Sequence, residues 1–257
     1  MDQRSVQESI SALKRFVSFC HQKGVKEIAA VGTNPLRMAG GAEEFIQLVQ
    51  KECGISPQVI KGEEEAYLSF LAVQRDPLMP QEALVIDVGG GSTEYILPQG
   101  GSSSHQVQTI TLPLGAVQLT EEFLTIDPPS QDDVIRLQKE IKETLYCLPS
   151  AMVGELVGIG GTAVTLGSIH LCQEGFAREK VHGLQLSIGE LRAQIKDLQG
   201  KDLATRKKIK GLPHKRADII LAGAMIILFS MERLQKEKIH ISCHGLRYGL
   251  FYERFMS

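Results

Sequence analysis

A chain of 257 residues, 43% hydrophobic and 23% charged, holds enough apolar material for a full core and has the make-up of a soluble globular protein. Its formal charge of −2 gives no overall pull toward nucleic acid or an anionic membrane, so any anion-binding site must be local. Cys20, Cys53, Cys147, Cys172 and Cys243 form an odd, unpatterned set without a Cys-x-x-Cys pair, which argues for reduced thiols in the cytoplasm rather than a disulfide framework.

The polar opening, Met1 to Lys14, carries no secretory signal. Apolar residues at Ile10, Leu13, Phe16, Val17 and Cys20 have helical spacing, and Gly24 ends that helix after Lys23. Glu27 to Val31 reads as a short buried strand, followed by the turn-rich Gly32 to Arg37. A helix is expected over Glu43 to Cys53, stopped by Gly54, then a strand at Gln58 to Lys61 and a helix from Glu63 to about Gln74. Two prolines in Asp76 to Pro80 mark the best domain boundary, dividing the chain into 1–80 and 81–257. Beyond it come strands at Leu84 to Val88, Ser92 to Leu97 and Gln106 to Leu112, with Gly100 to Ser104 as a hairpin loop. Ser130 is placed to cap a helix, Glu155 to Ile159 is a strand feeding a helix, and helices then alternate with one last strand, Ile239 to Cys243. The most apolar stretch, Ile219 to Phe229, is too short to span a bilayer. The order predicts an α/β protein with a mixed sheet.

The strongest chemical signal is Asp87-Val88-Gly89-Gly90-Gly91-Ser92-Thr93-Glu94. Glycines without Cβ let backbone N–H groups approach phosphate oxygens, and Ser92 and Thr93 add hydroxyl donors. Asp87 and Glu94 stand on opposite limbs of the turn, where both can reach a hard cation; a glycine hairpin with solvated acids is the plainer alternative. A second loop, Gly158-Ile159-Gly160-Gly161-Thr162, runs from strand to helix, where free N–H groups favour anions, though close strand-to-helix packing explains the glycines as well. No second strand ending in an acid follows at dinucleotide-fold distance. Glu63-Glu64-Glu65 opens a helix; the helix dipole alone accounts for them, yet Glu65, beside inward-packing Ala66 and Leu68, is the acid placed to face the interior. Arg37 offers a guanidinium for phosphate or is a surface arginine. Arg206 to Lys210, continuing at Lys215-Arg216, is a solvated face or a polyanion track. His240 and His244 lack helical context and further ligands for zinc.

In order and spacing these motifs resemble the exopolyphosphatase / guanosine pentaphosphate phosphatase (Ppx/GppA) family from about Val6 to Tyr252. The likeness includes Thr33 to Ala39, Gly62 to Ala66, the Asp87 to Glu94 turn, Leu112 to Val117, Gly158 to Thr162, Ile209 to Pro213, Arg216 to Ile220 and Gly245 to Gly249. The resemblance implies an actin-like ATPase (ribonuclease H-like) fold with mixed sheets and a cleft between two α/β domains, the first truncated at its N-terminus. It implies a cytoplasmic, homodimeric, magnesium-dependent hydrolase releasing terminal phosphate from inorganic polyphosphate or guanosine pentaphosphate. Glu65 would be the general base and Asp87 and Glu94 the Mg2+ ligands. Arg37, Gly89, Gly90, Gly91, Ser92 and Thr93 would hold phosphate, joined by Gly160, Gly161 and Thr162. Two departures stand out: the Asp-x-Gly-x-Asn-Ser strand and turn with which such proteins open has no counterpart before Val6, and Gly41 stands where an asparagine is usual. The alternative they leave is a phosphate-ligand binding module impaired in turnover.

Overall fold

The computed structural model describes residues 2–99 and 106–256; the expected loop at Gly100 to Ser104 lies outside them. The first segment is α1 (Gln3–Gln22), β1 (Val31–Gly32), α2 (Asn34–Met38), α3 (Ala42–Cys53), β2 (Gln58–Val59) and α4 (Gly62–Gln74). Asp2 caps α1 by accepting the Arg4 and Ser5 N–H groups, and Gly24 and Gly54 leave their helices in left-handed conformation. The strand expected at Glu27 to Val31 is shorter and later. Only Val31 and Gly32 pair, with Gln58 and Val59, in a parallel two-stranded sheet; both are half-buried. Two such short strands offer few ladder bonds, so the flanking residues stay outside the sheet.

The rest is β3 (Ala83–Val88), β4 (Thr93–Pro98), β5 (Val107–Leu112), α5 (Ala116–Phe123), α6 (Gln131–Leu145), β6 (Glu155–Ile159), α7 (Gly160–His170), α8 (Arg178–Val181), β7 (Gln185–Ser187), α9 (Ile188–Gln199), α10 (Leu203–Arg206), α11 (Ile220–Arg233), β8 (Lys238–Ile241) and α12 (Leu246–Phe255). Among the described residues they form a six-stranded mixed sheet in the order β5-β4-β3-β6-β8-β7. β3, β6 and β8 run parallel at its centre, with antiparallel pairing toward both edges. Ser130 caps α6 in a reciprocal box with Asp133. β7 is a correction: Gln185-Leu186-Ser187 was not expected as a strand, because three residues with one apolar side chain carry no alternation to read.

The sequence around Ile220 to Met231 is apolar on every side because α11 is buried on every side, packing against α5, α6, α7, α9 and β3. Among the described residues no helix is long and apolar enough to cross a membrane. On the other face lies α4, whose Ala66, Phe70 and Val73 join Val85, Ile96, Val157 and Ile159 of the sheet in one apolar cluster. Its outer side meets α12. Gly249 makes that meeting possible: a Cβ there would lie 1.8 Å from the Leu68 carbonyl oxygen, and main chain inside a packed helix has little room to yield. Gly249→Ala is therefore expected to lower unfolding stability by about 1–3 kcal/mol, as overpacked sites do, read as a reduced midpoint in urea with unchanged slope.

Candidate active site

Two antiparallel strands bring the first pair of acids together. Asp87 of β3 is the register partner of Glu94 of β4, and residues directly opposite in such a pair present side chains on one face. The turn between them is tight: the Gly89 N–H donates to the Ser92 carbonyl at 2.9 Å, and the Ser92 hydroxyl donates to Glu94 Oε1 at 2.5 Å. The start of α5 leans on the same turn. N–H groups of Ala116, Val117 and Gln118 donate to the carbonyls of Gly89 and Gly90 at 2.9–3.1 Å, so this helix end is satisfied by the turn itself.

The second loop meets the first from the neighbouring strand. β6 pairs with β3, Ile159 opposite Asp87, and the chain turns into α7 at Gly160 with φ +74°. A Cβ on Gly160 would sit 2.2 Å from Asp87 Oδ1, and one on Gly161 would meet the Arg216 guanidinium. At Gly160 glycine is a requirement of space and of backbone conformation together.

The third contribution comes from the first turn of α4, where Glu65 stands near Thr33 and Arg37. Burial raises the Glu65 carboxyl above its ordinary range and Glu94 adds to the rise, while Arg37 and a hydrogen bond with Thr33 oppose it. Arg37 itself is anchored by Nη1 donating to the Ile60 carbonyl at 2.8 Å and Nη2 to Asn34 Oδ1 at 3.1 Å. Burial, then the charges of Glu94 and Glu65, push the Asp87 carboxyl up to about 6, against the pull of Arg216. Three acids crowd one space, and a cation there would relieve them.

Of the residues expected to act together, Glu65, Asp87, Glu94, Arg37, Gly89, Ser92, Gly160 and Gly161 line one cleft of about 950 Å³. Thr93 and Thr162 do not: both are buried and donate to main chain, Thr93 to Leu114 O at 2.6 Å and Thr162 to Val88 O at 3.0 Å. Their hydroxyls tie the loops together and are not offered to phosphate. Gly90 and Gly91 are also off the lining; Gly90 faces Val117.

Arg216, Arg178 and Arg247, with Tyr248 and Phe176, line the cleft without having been singled out for it. In sequence Arg216 ends a basic run and opens the Arg216 to Ile220 likeness, and that run is not one surface. Arg206 is buried, donating to Leu198 O at 3.0 Å, and Lys210 pairs with Glu174 at 2.6 Å. Of the two histidines four apart, His240 contacts Glu155 at 2.9 Å and His244 faces elsewhere.

Carboxylate oxygens are the donors that a hard divalent cation takes. Asp87 and Glu94 offer carboxylate oxygens on one face, and magnesium commonly takes one or two such ligands beside substrate phosphates.

Comparison with known proteins identifies the family of this chain. A model of the Ppx/GppA phosphatase family matches residues 1–257. Exopolyphosphatase 1 of Mycobacterium tuberculosis is 30% identical over 261 residues, covering 99% of this chain and 74% of that protein. The crystal structure of the Aquifex aeolicus Ppx/GppA family member superposes with a TM-score of 0.88 at 32% identity, covering 100% of this chain and 83% of the other. A bifunctional 3-dehydroquinate synthase/phosphatase of Fusobacterium nucleatum is 28% identical over 251 residues, 94% of this chain and 37% of its own length.

Proposed function

Because the chain belongs to the Ppx/GppA phosphatase family, and so has the actin-like ATPase fold, we propose that it hydrolyses the terminal phosphoanhydride of inorganic polyphosphate or guanosine pentaphosphate, with Mg2+ held by Asp87 and Glu94. One observation carries the reading: Glu65 shares a cleft and an electrostatic field with Asp87 and Glu94. In this reading a Glu65 oxygen takes a proton from water as the water oxygen bonds to the terminal phosphorus. The bridging P–O bond breaks, and its electron pair leaves with the shortened chain. Arg37 and the Gly89 and Gly160–Gly161 backbone orient the phosphoryl oxygens, and Arg216 adds positive charge beside them. Bound magnesium supplies charge neutralisation on those oxygens. Phosphoryl transfer needs positioning and charge compensation more than covalent help from the protein, which is what this cleft offers.

The test is phosphate release from long-chain polyphosphate and from guanosine pentaphosphate, with Mg2+ and with chelator. Release from at least one, lost with chelator, is the expected result; tight binding of both with no release would leave only a binding module. A cation that quenches the repulsion among the acids also stabilises the fold by mass action. Millimolar Mg2+ should raise the melting temperature of the wild type, and the rise should vanish in Asp87→Asn.

A further inference from the structure

Asp76 follows the C-cap of α4 and is buried, 4% exposed. Its Oδ1 accepts the Leu78 N–H at 3.0 Å, while Oδ2 lies 2.9 Å from Nε2 of His182 and 2.9 Å from Nδ1 of His244. The His182 and His244 rings stack with centroids 4.1 Å apart, and His244 stacks on Tyr248 at 3.7 Å. The Tyr248 hydroxyl accepts from Arg178, and Tyr248 and Arg178 both line the cleft. A continuous path therefore runs from the end of the helix that carries Glu65, through three stacked rings, to a guanidinium on the cleft wall.

A carboxylate and two imidazoles with donor atoms within 4.8 Å of one another also resemble a metal site. Two observations decide against it. The Cys243 N–H donates to Nδ1 of His182 at 3.1 Å, so the neutral ring carries its proton on Nε2, the atom a metal would need bare. The two ring planes lie only 28° apart in a stack, which aims their lone pairs side by side rather than at one point about 2.1 Å from each. The short contacts to Oδ2 are not well-directed hydrogen bonds, so a buried carboxylate is held chiefly by the close polar edges of two rings.

We infer that Asp76, His182 and His244 form a positioning network that fixes Tyr248 and Arg178 on the cleft wall, where they hold the part of the anionic substrate that does not react. The inference rests on the phosphohydrolase reading above. Asp76 lies just past the far end of α4, whose residues 65–74 alone span about 14 Å at 1.5 Å per helical residue, so its loss reaches the chemistry through binding. The groups facing His244 are Asp76, His182, Arg178, Tyr248 and the neighbouring Cys243. Burial, then His182, holds its imidazole below the ordinary 6.5, with Asp76 opposing and Arg178 adding to the fall. The fold therefore favours neutral His244. The stability this contributes is present above 6.5 and is lost as pH falls from there through the lowered value in the fold, below which a charged ring would face the Arg178 cation.

The experiment is a double-mutant cycle on polyphosphate hydrolysis with Asp76→Ala, Arg178→Ala and the pair, beside His244→Phe. Asp76→Ala should raise KM about tenfold with kcat within about threefold, and the pair should behave like Arg178→Ala alone, since residues acting through one another are not additive. KM of the wild type should climb on acidification below pH 6.5 more steeply than that of His244→Phe, which keeps the stack, takes no proton at 244 and retains only the titration of the cleft carboxylates, Asp87 near 6 among them. Unchanged KM in Asp76→Ala, additive factors in the cycle, or a stoichiometric transition metal in wild type that Asp76→Ala loses would each overturn the inference. Should the wild type release no phosphate, the hydrolase reading falls, while the dissociation constants of the same polyphosphate across the four proteins still decide this one.

Discussion

Glu65→Gln is expected to lower kcat for phosphate release by about 10²–10⁴-fold, the usual worth of a positioned base, with polyphosphate affinity little changed. The substitution keeps size and hydrogen-bonding reach and removes only the charge and the ability to take a proton. Glu65 is suited to the role because burial and Glu94 raise its carboxyl above the ordinary range, making it a stronger proton acceptor than an exposed glutamate. Glu63 also lines the cleft, so Glu63→Gln is the control and should retain most activity. Single-turnover and equilibrium-binding measurements separate the outcomes: a fall in binding with chemistry intact would place Glu65 in the substrate or cation set instead.

Gly160→Ala is the second large effect. The methyl group would sit 2.2 Å from Asp87 Oδ1 on a backbone with φ +74°, so the new residue meets both a steric clash and a conformation that disfavours side chains. Either the Asp87 carboxylate moves or the β6–α7 loop does. A displacement of about 1 Å at a reacting centre costs about 10²-fold, so kcat should fall at least that far. The Mg2+-induced rise in melting temperature should shrink in the same protein. A neutral outcome in both assays would separate Asp87 from the chemistry.

Much of this site was legible because its signals are local. A strand, three glycines and a second strand place Asp87 opposite Glu94 by pairing alone, and the order of apolar and glycine residues gave β3, β4, β6 and α4 nearly to the residue. The Thr93 hydroxyl, expected as a phosphate donor, goes to main chain because sequence shows a donor but not its acceptor; the Thr162 hydroxyl, at a position the resemblance places near phosphate, likewise goes to main chain far along the sequence. β7 was too short to show alternation, and β1 drew a longer reading than its two paired residues support. Arg216 looked like one more member of a basic run; only folding sets it against Gly161 while Arg206 goes inside. Asp76, His182 and His244 share no spacing at all and meet solely through tertiary packing.

The seat of α4 has a mechanical consequence. Glu65 rides on a helix locked between the six-stranded sheet and α12, as firmly mounted as Asp87 and Glu94, whereas Arg37 belongs to α2, which leans on α3 and β1. A swing of that smaller platform would change the reach of the guanidinium and leave the distances among the carboxylates untouched. Under the proposed hydrolase reading, loosening the grip on a product and preserving the cutting geometry would then be separate adjustments, available to one molecule without reassembling its reactive centre between turnovers.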